Sequence, residues 1–389
     1  MLEKKLCEGV YAVGANDFNR KLFDELIPLP YGTSYNSYVI KGQEKTAILD
    51  AVDPMKKDVL RENLRDLNIN SIDFIISHHA EQDHSGAIVD LLDWFPNAKV
   101  LTNEKCKSFL MDLLCLPEEK FITISDREKI SLGGKTLEFI FTPWVHWPET
   151  FVSYLHEDKT LFSCDLFGSH LASEKLFADE SENLYSLAKR YYAEIMMPFR
   201  TAIKGHLEKL STYKIEMICP SHGPIYKNPA FILDAYKEWI SDDVKNLVVI
   251  PYVSMHGSVE KMVEILNTRL NSLKIETKIF NLSETDIGEL AMALVDASTV
   301  VFGIPAVLAQ IHPLASNALY LANLLRPKTK YFSYVSSYGW GAKLTETIDS
   351  LIPNFKAKLL EPVICKGYPK TEDIKKLQQL AVLIKESNS

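Results

Sequence analysis

The stretch FIISHHAEQDH, residues 74–84, is the most informative part of the sequence for both fold and chemistry. It opens with an apolar run that predicts a buried strand from Phe74 to Ser77. Four side chains of metal-ligating types follow within six residues: His79, Glu81, Asp83 and His84. On a strand-to-helix loop they can point into one small volume only if a metal offsets the cost of bringing them together. The alternative is a solvated helix start with Asp83 near the N-cap.

Three more residues of ligand type follow predicted strands further along the chain. His146 follows the run Leu137 to Thr142, Asp165 follows Thr160 to Cys164, and His222 follows Met217 to Cys219. Because strand ends at one edge of a sheet converge, we expect these three to join the first four. Taken singly, each has an ordinary alternative: an aromatic patch for His146, a turn for Asp165 and a loop for His222. Together the seven predict a metal site.

The order of predicted elements indicates two domains, residues 1–245 and 246–389. In the first, β-branched and aromatic runs alternate with helical patterns, including one long helix from Leu184 to Leu210, which predicts a layered α and β domain. From Leu247 onward, strands and helices alternate. This βαβ order predicts a flavodoxin-like, doubly wound parallel sheet that is covered on both faces.

Three loops of the second domain follow predicted strand ends, where ligands of such sheets bind. The first loop precedes a helix at Val259 to Leu270, and its hydroxyl and N–H groups suit a phosphate, although a plain N-capped turn is the alternative. The others follow strands predicted at Thr299 to Gly303 and Lys330 to Val335. The candidate residues are Ser254, Met255, His256, Gly257, Ser258 and Val259; Gly303, Ile304, Pro305, Ala306 and Val307; and Ser337, Tyr338, Gly339, Trp340, Gly341 and Ala342.

Composition excludes several classes of protein. The 389 residues include 43 Lys and Arg against 51 Asp and Glu, a net charge of −8, and no basic run is long enough to follow a nucleic acid. The N-terminus lacks the apolar stretch of a secretory signal. The longest apolar run, Thr299 to Ile311, is too short and too broken to span a membrane. We therefore expect a cytoplasmic protein with neither nucleic-acid nor membrane partners.

The seven ligand-type residues and the three loops are similar to those of the flavodiiron proteins, over nearly the full chain. The resemblance implies an αββα sandwich of the metallo-β-lactamase type over residues 1–245, followed by the flavodoxin-like domain. It also implies two non-haem irons. His79, Glu81 and His146 would bind one iron, Asp83 and His222 the other, and Asp165 would bridge them. His84 would be either a ligand or a hydrogen-bond donor to the site.

Glu81 occupies a position where zinc hydrolases of the same fold typically carry a second histidine. A carboxylate makes the site harder and more anionic, which favours iron over zinc. Two alternatives stay open. One is a zinc hydrolase with an appended flavodoxin module, and the other is an electron carrier whose first domain has lost its metals.

The resemblance implies that the three loops bind FMN, with Tyr338 or Trp340 shielding the flavin. Family members often carry hydroxyl or amide side chains where this chain has Ile304, Ala306 and Leu308, which leaves backbone contacts there. A diferrous pair and reduced FMN together hold the four electrons that take dioxygen to water, and two electrons suffice for nitric oxide to nitrous oxide.

The family resemblance also implies partners. These are dioxygen or nitric oxide as substrate, and a rubredoxin or a reduced deazaflavin coenzyme as electron donor. A head-to-tail homodimer, or a pair of such dimers, would bring the FMN of one chain to the irons of the other. Tyr191, Tyr192, His84 and Trp147 are candidate catalytic residues by position, whereas His170 and His206 are interpreted as structural or surface residues.

Overall fold

The computed structural model describes residues 4–341 and 344–388 and divides the chain into two units. The first unit comprises Met1–Tyr192 and Phe199–Ile240, and the second comprises Ala193–Pro198 and Ser241–Ser389. The main break lies close to residue 246, where the sequence predicts that the second domain begins.

Short strands dominate the first unit. They are β1 (Lys5–Cys7), β2 (Val10–Ala12), β3 (Ala15–Asp17), β4 (Leu22–Phe23), β5 (Ile27–Pro28), β6 (Thr33–Tyr35), β7 (Tyr38–Lys41), β8 (Thr46–Leu49), β9 (Phe74–Ile76), β10 (Lys99–Thr102), β11 (Phe121–Thr123), β12 (Lys129–Ser131), β13 (Thr136–Phe141), β14 (Phe151–Leu155), β15 (Thr160–Cys164) and β16 (Met217–Pro220). The α-helices are α1 (Lys57–Asp66), α2 (Gln82–Ser85), α3 (Ile88–Trp94), α4 (Glu104–Leu114), α5 (Glu182–Tyr191), α6 (Arg200–Leu210) and α7 (Pro229–Ile240).

Two stacked sheets form the core of the first unit. One has the order β1-β2-β7-β8-β9-β10-β11, and the other β12-β13-β14-β15-β16. In β8, Ala47 and Leu49 share a buried cluster with Phe139 of the second sheet, whereas Ile48 shares another with Leu60 of α1. Side chains alternate between the faces of a strand, and both faces are covered here, so the strand reads as a continuous apolar run. The αββα sandwich is confirmed.

The connections of this sandwich bring the ligand-type residues together. The first four lie between β9 and the end of α2, and His146 lies between β13 and β14. Asp165 directly follows β15, and His222 follows β16, which is parallel to β15. The backbone N–H of Ser221 donates to the carbonyl of Cys164 at 2.8 Å, which ties these last two strand ends together.

The predicted long helix from Leu184 to Leu210 is wrong in its middle. A π-helical turn at Tyr192–Met196 and a 3-10 turn at Met197–Phe199 separate α5 from α6. Pro198 lacks the backbone N–H that an α-helix needs, and its ring clashes with the preceding turn. A regular α-helix therefore cannot continue through this residue.

The second unit alternates strands and helices. The strands are β17 (Lys245–Tyr252), β18 (Glu276–Asn281), β19 (Ala297–Val307), β20 (Gln310–Ile311), β21 (Tyr331–Tyr338), β22 (Lys358–Leu359) and β23 (Val363–Lys366). The helices are α8 (Ser258–Ser272), α9 (Ile287–Asp296), α10 (Pro313–Leu325), α11 (Leu344–Leu351) and α12 (Thr371–Asn388), of which the sequence analysis missed α12. None of the described helices combines the length and apolarity needed to cross a bilayer.

The sheet of the second unit has the order β18-β17-β19-β21-β22, with β23 also beside β21, and these neighbours are parallel. This is the flavodoxin-like order, with its topological switch point between β17 and β19. The prediction of a doubly wound parallel sheet is confirmed.

Two of the three predicted loops are partly strand, which corrects the sequence analysis. Gly303 to Val307 lie within β19, which turns back into β20, and Ser337 and Tyr338 end β21. Ile304 is in register with Ser336, whose Oγ donates to the Ile304 carbonyl oxygen at 2.5 Å. These contacts extend the strand beyond the end that the sequence predicts.

A close backbone approach at Gly42, between β7 and β8, makes the sandwich sensitive to a single methyl group. A β-carbon there would lie 1.9 Å from the carbonyl oxygen of Leu132. We expect Gly42→Ala to lower the free energy of unfolding by about 3 kcal/mol, because backbone must move to accept it. The measurement is chemical denaturation.

The matched control is Gly205→Ala in α6, where an added β-carbon meets nothing within 4 Å. Alanine favours a helix, so this variant should be more stable than the wild type by up to about 1 kcal/mol. Wild-type stability in Gly42→Ala would contradict the close approach.

Candidate active site

Separate segments of the first unit bring the seven ligand-type residues into two adjacent groups. The first ligand group consists of His79, Glu81, His146 and Asp165, and the second ligand group of Asp83, His84 and His222. Within each group the ligand atoms lie within 4.8 Å of one another. The structure thus brings together every residue that the sequence analysis names as a metal ligand.

Asp165 stands between the two groups. Its Oδ2 faces the first, 3.7 Å from His79 Nε2 and 3.6 Å from His146 Nε2. Its Oδ1 faces the second, 3.0 Å from His84 Nε2 and 3.4 Å from His222 Nε2. One carboxylate oxygen in each group is the arrangement that a bridging ligand of a two-metal site requires.

Hydrogen bonds outside the groups fix the ligand-bearing segments. Ser77 Oγ donates to the carbonyl of His79 at 3.0 Å, and Ser85 Oγ donates to that of Ala80 at 2.7 Å. His222 Nδ1 lies 2.6 Å from the carbonyl oxygen of Ser34, which directs Nε2 towards Asp83. These contacts hold the side chains in place without using the atoms that face the groups.

The donor set fits a pair of metal ions. Both carboxylate oxygens of Asp83, Oδ2 of Asp165 and Nε2 of His84 are buried and have oppositely charged neighbours at 3.0–3.7 Å, but they make no hydrogen bond of good geometry among the described residues. A buried polar atom left in this way costs about 1–3 kcal/mol. Unpaired oxygen and nitrogen atoms that face one small volume are typical of a site whose missing partner is an ion.

In the chain by itself, protonated histidines balance the negative charge of the buried carboxylates. Burial opposes protonation of His146 and His222, but the neighbouring carboxylates raise the pKa of His146 to about 9 and that of His222 to about 10. Burial likewise opposes ionisation of Asp165, but the charge of His84 and contacts with His146 and His222 hold its pKa well below its usual range. A metal ion that binds here must displace these protons.

Sequence reasoning missed two neighbours of the groups. Glu149 is 2% exposed, and its Oε1 lies 2.7 Å from Nδ1 of His79. Ser34 offers its backbone carbonyl to His222. One acidic residue just before a strand shows no ligand spacing, and a backbone carbonyl has no signature in a sequence.

A cavity of about 290 Å³ lies beside the groups. Glu81 and Asp83 form part of its wall, together with the apolar or aromatic side chains of Phe23, Tyr35, Leu113 and Trp147. Arg20, Asp24, Asp53 and Gln82 complete the lining, so a small molecule in this cavity would meet residues of both ligand groups between aromatic and charged side chains.

The candidate catalytic residues differ in their relation to the groups. The hydroxyl of Tyr191 donates to Asp165 Oδ1 at 3.1 Å, and the Trp147 ring lies edge-on to that of His79, 4.8 Å between centroids. His84 belongs to the second ligand group. The hydroxyl of Tyr192 instead donates to the carbonyl of Trp239 at 3.3 Å, so the structure does not bring it to the groups.

The histidines interpreted as structural or surface residues have protein partners. His170 is buried, with Nδ1 at 3.0 Å from Thr33 Oγ1, and its ring packs 5.3 Å from that of His222. His206 Nε2 donates to the carbonyl of Pro143 at 2.9 Å. Neither residue is a member of a ligand group.

A second candidate site lies at the carboxyl edge of the sheet in the second unit. Gly257, with φ of +78°, caps the N-terminus of α8 and makes no side-chain cap hydrogen bond. A β-carbon on Gly257 or Gly339 would meet nothing within 4 Å. Open space beside a helix N-terminus and the sheet's switch point fits the phosphate and planar ring of a flavin nucleotide.

The candidate flavin-binding residues are not equally available. Met255 is 41% exposed and Trp340 79%, so both can cover a planar ligand. Ile304 is fully buried, and Ser337 Oγ donates to the carbonyl of Gly367 at 2.7 Å, so neither side chain is free for a ligand. Gly303 packs against Tyr252, and Ala342 lies outside the described residues.

Comparison with known proteins gives consistent results for both units. Residues 33–223 match the family model described as ODP family beta lactamase. The nitric oxide reductase of Moorella thermoacetica is 31% identical over 384 residues, 96% of this chain and 96% of the relative. The rubredoxin oxygen:oxidoreductase of Desulfovibrio gigas superposes with a TM-score of 0.94 at 27% identity, covering 98% of both chains.

The solved flavodiiron protein of Giardia intestinalis superposes with a TM-score of 0.91 at 26% identity, over 99% of this chain and 98% of that chain. The similarity extends over the sandwich and the parallel sheet alike. From this full-length similarity we conclude that the chain belongs to the flavodiiron protein family.

Proposed function

We propose that this chain is a flavodiiron oxidoreductase that reduces dioxygen to water, nitric oxide to nitrous oxide, or both. The observation that carries the proposal is the pair of ligand groups that share Asp165 and include Glu81 in place of a histidine. Such an oxygen-rich donor set suits iron better than zinc. The names of the relatives, an oxygen:oxidoreductase and a nitric oxide reductase, support the two gases as substrates.

His79, Glu81 and His146 would hold one iron and Asp83 and His222 the other, with Asp165 as the bridge and His84 as a further ligand of the second ion. The open loop at Gly257 and the edge at Gly339 to Gly341 would hold FMN in a domain that begins near residue 246. When bound, two ferrous ions and reduced FMN supply up to four electrons, enough to reduce dioxygen to two waters without releasing peroxide.

The chain's own residues position the reactants. The cavity beside Glu81 and Asp83 is large enough to admit a diatomic gas, and the rings of Phe23 and Trp147 form part of its wall. The Tyr191 hydroxyl holds the bridging carboxylate through its hydrogen bond to Oδ1. Both reductions consume protons, and Tyr191 is the proposed hydroxyl donor nearest the bridge.

The assembly and the electron donor follow from the family resemblance. We place the protein in the cytoplasm as a head-to-tail homodimer in which the FMN of one chain serves the irons of the other. A rubredoxin is the proposed donor, as the name of the Desulfovibrio gigas relative suggests for that protein, and a reduced deazaflavin coenzyme is the alternative.

The direct test is anaerobic reduction of the purified protein, followed by rapid mixing with dioxygen and, separately, with nitric oxide. We expect at least one gas to reoxidise the flavin and the iron rapidly, which is measured as the return of their oxidised absorption bands. Turnover of neither gas would contradict the proposed function, and a zinc-containing protein with hydrolase activity would favour the alternative.

Removing a metal ligand should abolish iron binding but leave FMN binding intact. We expect Asp165→Ala and His146→Ala to lose iron and activity but keep FMN. The ligand groups lie in the first unit, whereas the proposed FMN site at Gly257 and at Gly339 to Gly341 lies in the second. Iron is measured by elemental analysis and FMN by its absorbance after extraction.

The matched control for these variants is His156→Ala, which removes a histidine that pairs with Glu138 at 2.8 Å and belongs to neither ligand group. It should keep both cofactors. Full iron content in Asp165→Ala or His146→Ala would show that the ligand assignment is wrong.

Filling the open space at Gly339 should weaken FMN binding but leave iron binding intact. A β-carbon at this exposed position meets nothing within 4 Å, so Gly339→Val should fold normally yet compete with a bound ring. We expect FMN affinity to fall at least about tenfold, the equivalent of 1.4 kcal/mol, with iron unchanged. Fluorescence titration of the FMN-free protein measures the affinity, and Gly205→Val is the control. Unaltered FMN binding by Gly339→Val would contradict this site.

A further inference from the structure

Glu149 is a buried carboxylate beside the ligand groups that the proposed mechanism does not use. Its side chain is fully enclosed, and Oε1 lies 2.7 Å from Nδ1 of His79 and accepts the backbone N–H of Ala80 at 3.1 Å. Oε2 is buried and has no hydrogen-bond partner within the described part of the chain. Burying a carboxylate is costly, so its placement against one imidazole calls for a reason.

The loop that carries Glu149 also carries His146 and is held at several points. The Thr150 hydroxyl donates to the carbonyl of Thr142 at 2.6 Å and accepts the N–H of Val145 at 3.2 Å. Asn103 Nδ2 donates to the backbone carbonyl of Glu149 at 2.5 Å. The carboxylate is therefore held in place independently of its contact with His79.

The two ligand groups differ in how one histidine of each is supported. In the first, Nδ1 of His79 meets the carboxylate of Glu149. In the second, Nδ1 of His222 meets the neutral backbone carbonyl of Ser34 at 2.6 Å. A carboxylate that accepts the N–H of a ligating imidazole makes the other nitrogen more basic and fixes its direction, to a greater extent than a neutral carbonyl does.

We propose that Glu149 is a positioning residue that strengthens metal binding selectively at the first ligand group by accepting the Nδ1 proton of His79. The proposal rests on the proposed diiron function, and it makes the two metal positions inequivalent. The first position then includes an imidazole, that of His79, supported by an anion, whereas the imidazole of His222 at the second is supported by a neutral group.

Glu149→Gln is the informative variant. A glutamine oxygen can still accept the N–H groups of His79 and Ala80, so it converts the support at the first group into the neutral type of the second. The full-length protein, with FMN bound, is stripped of metal and titrated anaerobically with Fe(II) against a chromogenic chelator. We expect one of the two iron equivalents to bind about 10–100-fold more weakly and the other to be unchanged.

Two further variants distinguish support of His79 from a general effect on folding. Glu138→Gln alters another buried glutamate that pairs with a histidine, His156 at 2.8 Å, outside the ligand groups, and both iron affinities should stay at wild-type values. Glu149→Asp keeps the negative charge on a shorter side chain and should restore part of the lost affinity. It also replaces Glu149→Gln as the informative variant if the latter does not fold.

The outcomes separate the inference from the function on which it rests. Wild-type affinities for both equivalents in Glu149→Gln, or equal weakening of both, would overturn the inference and leave the diiron proposal standing. A wild-type protein that binds fewer than two irons would overturn both. Selective weakening of one equivalent, with the thermal midpoint of the metal-free variant unchanged, supports the role of Glu149.

Discussion

The structure depends on one electrostatic constraint: carboxylates and imidazoles from several segments are buried within a few ångströms of one another. Asp165 is almost fully enclosed, and both oxygens of Asp83 lack hydrogen-bond partners among the residues described. Such a cluster is costly unless cations compensate it, and two metal ions do so with the donor atoms already in place. The sandwich fold supplies the geometry, because its strand ends and connections bring distant parts of the chain to one place.

The meeting of the seven ligand-type residues could be predicted from sequence, because each has a metal-ligating side chain in a recognisable position. His79 and its neighbours follow an apolar strand at close spacing, and Asp165 directly follows another. Glu149 and the carbonyl of Ser34 could not be found in this way. Each contacts its histidine through one hydrogen bond, and its position depends on how loops that are remote in sequence pack against the groups.

The fold was predictable where local pattern and tertiary packing agree. β15 has the bounds that the apolar run predicts, because both of its faces are buried. The prediction failed where packing or a single residue overrides the pattern. Pro198 breaks a helical pattern, and the contact between Ser336 and Ile304 extends β19 through residues that read as a loop. The hydroxyl of Ser337, near the end of β21, likewise donates to a backbone carbonyl, that of Gly367, which fits a flavin site that relies on backbone contacts and open space.

We propose that two irons occupy the two ligand groups and share Asp165. Anomalous X-ray diffraction from crystals, recorded on both sides of the iron absorption edge, tests it most directly. One iron peak is expected on each side of the Asp165 carboxylate, one beside His79, Glu81 and His146 and the other beside Asp83 and His222. A single peak, peaks at the zinc edge only, or no anomalous density between these side chains would contradict it.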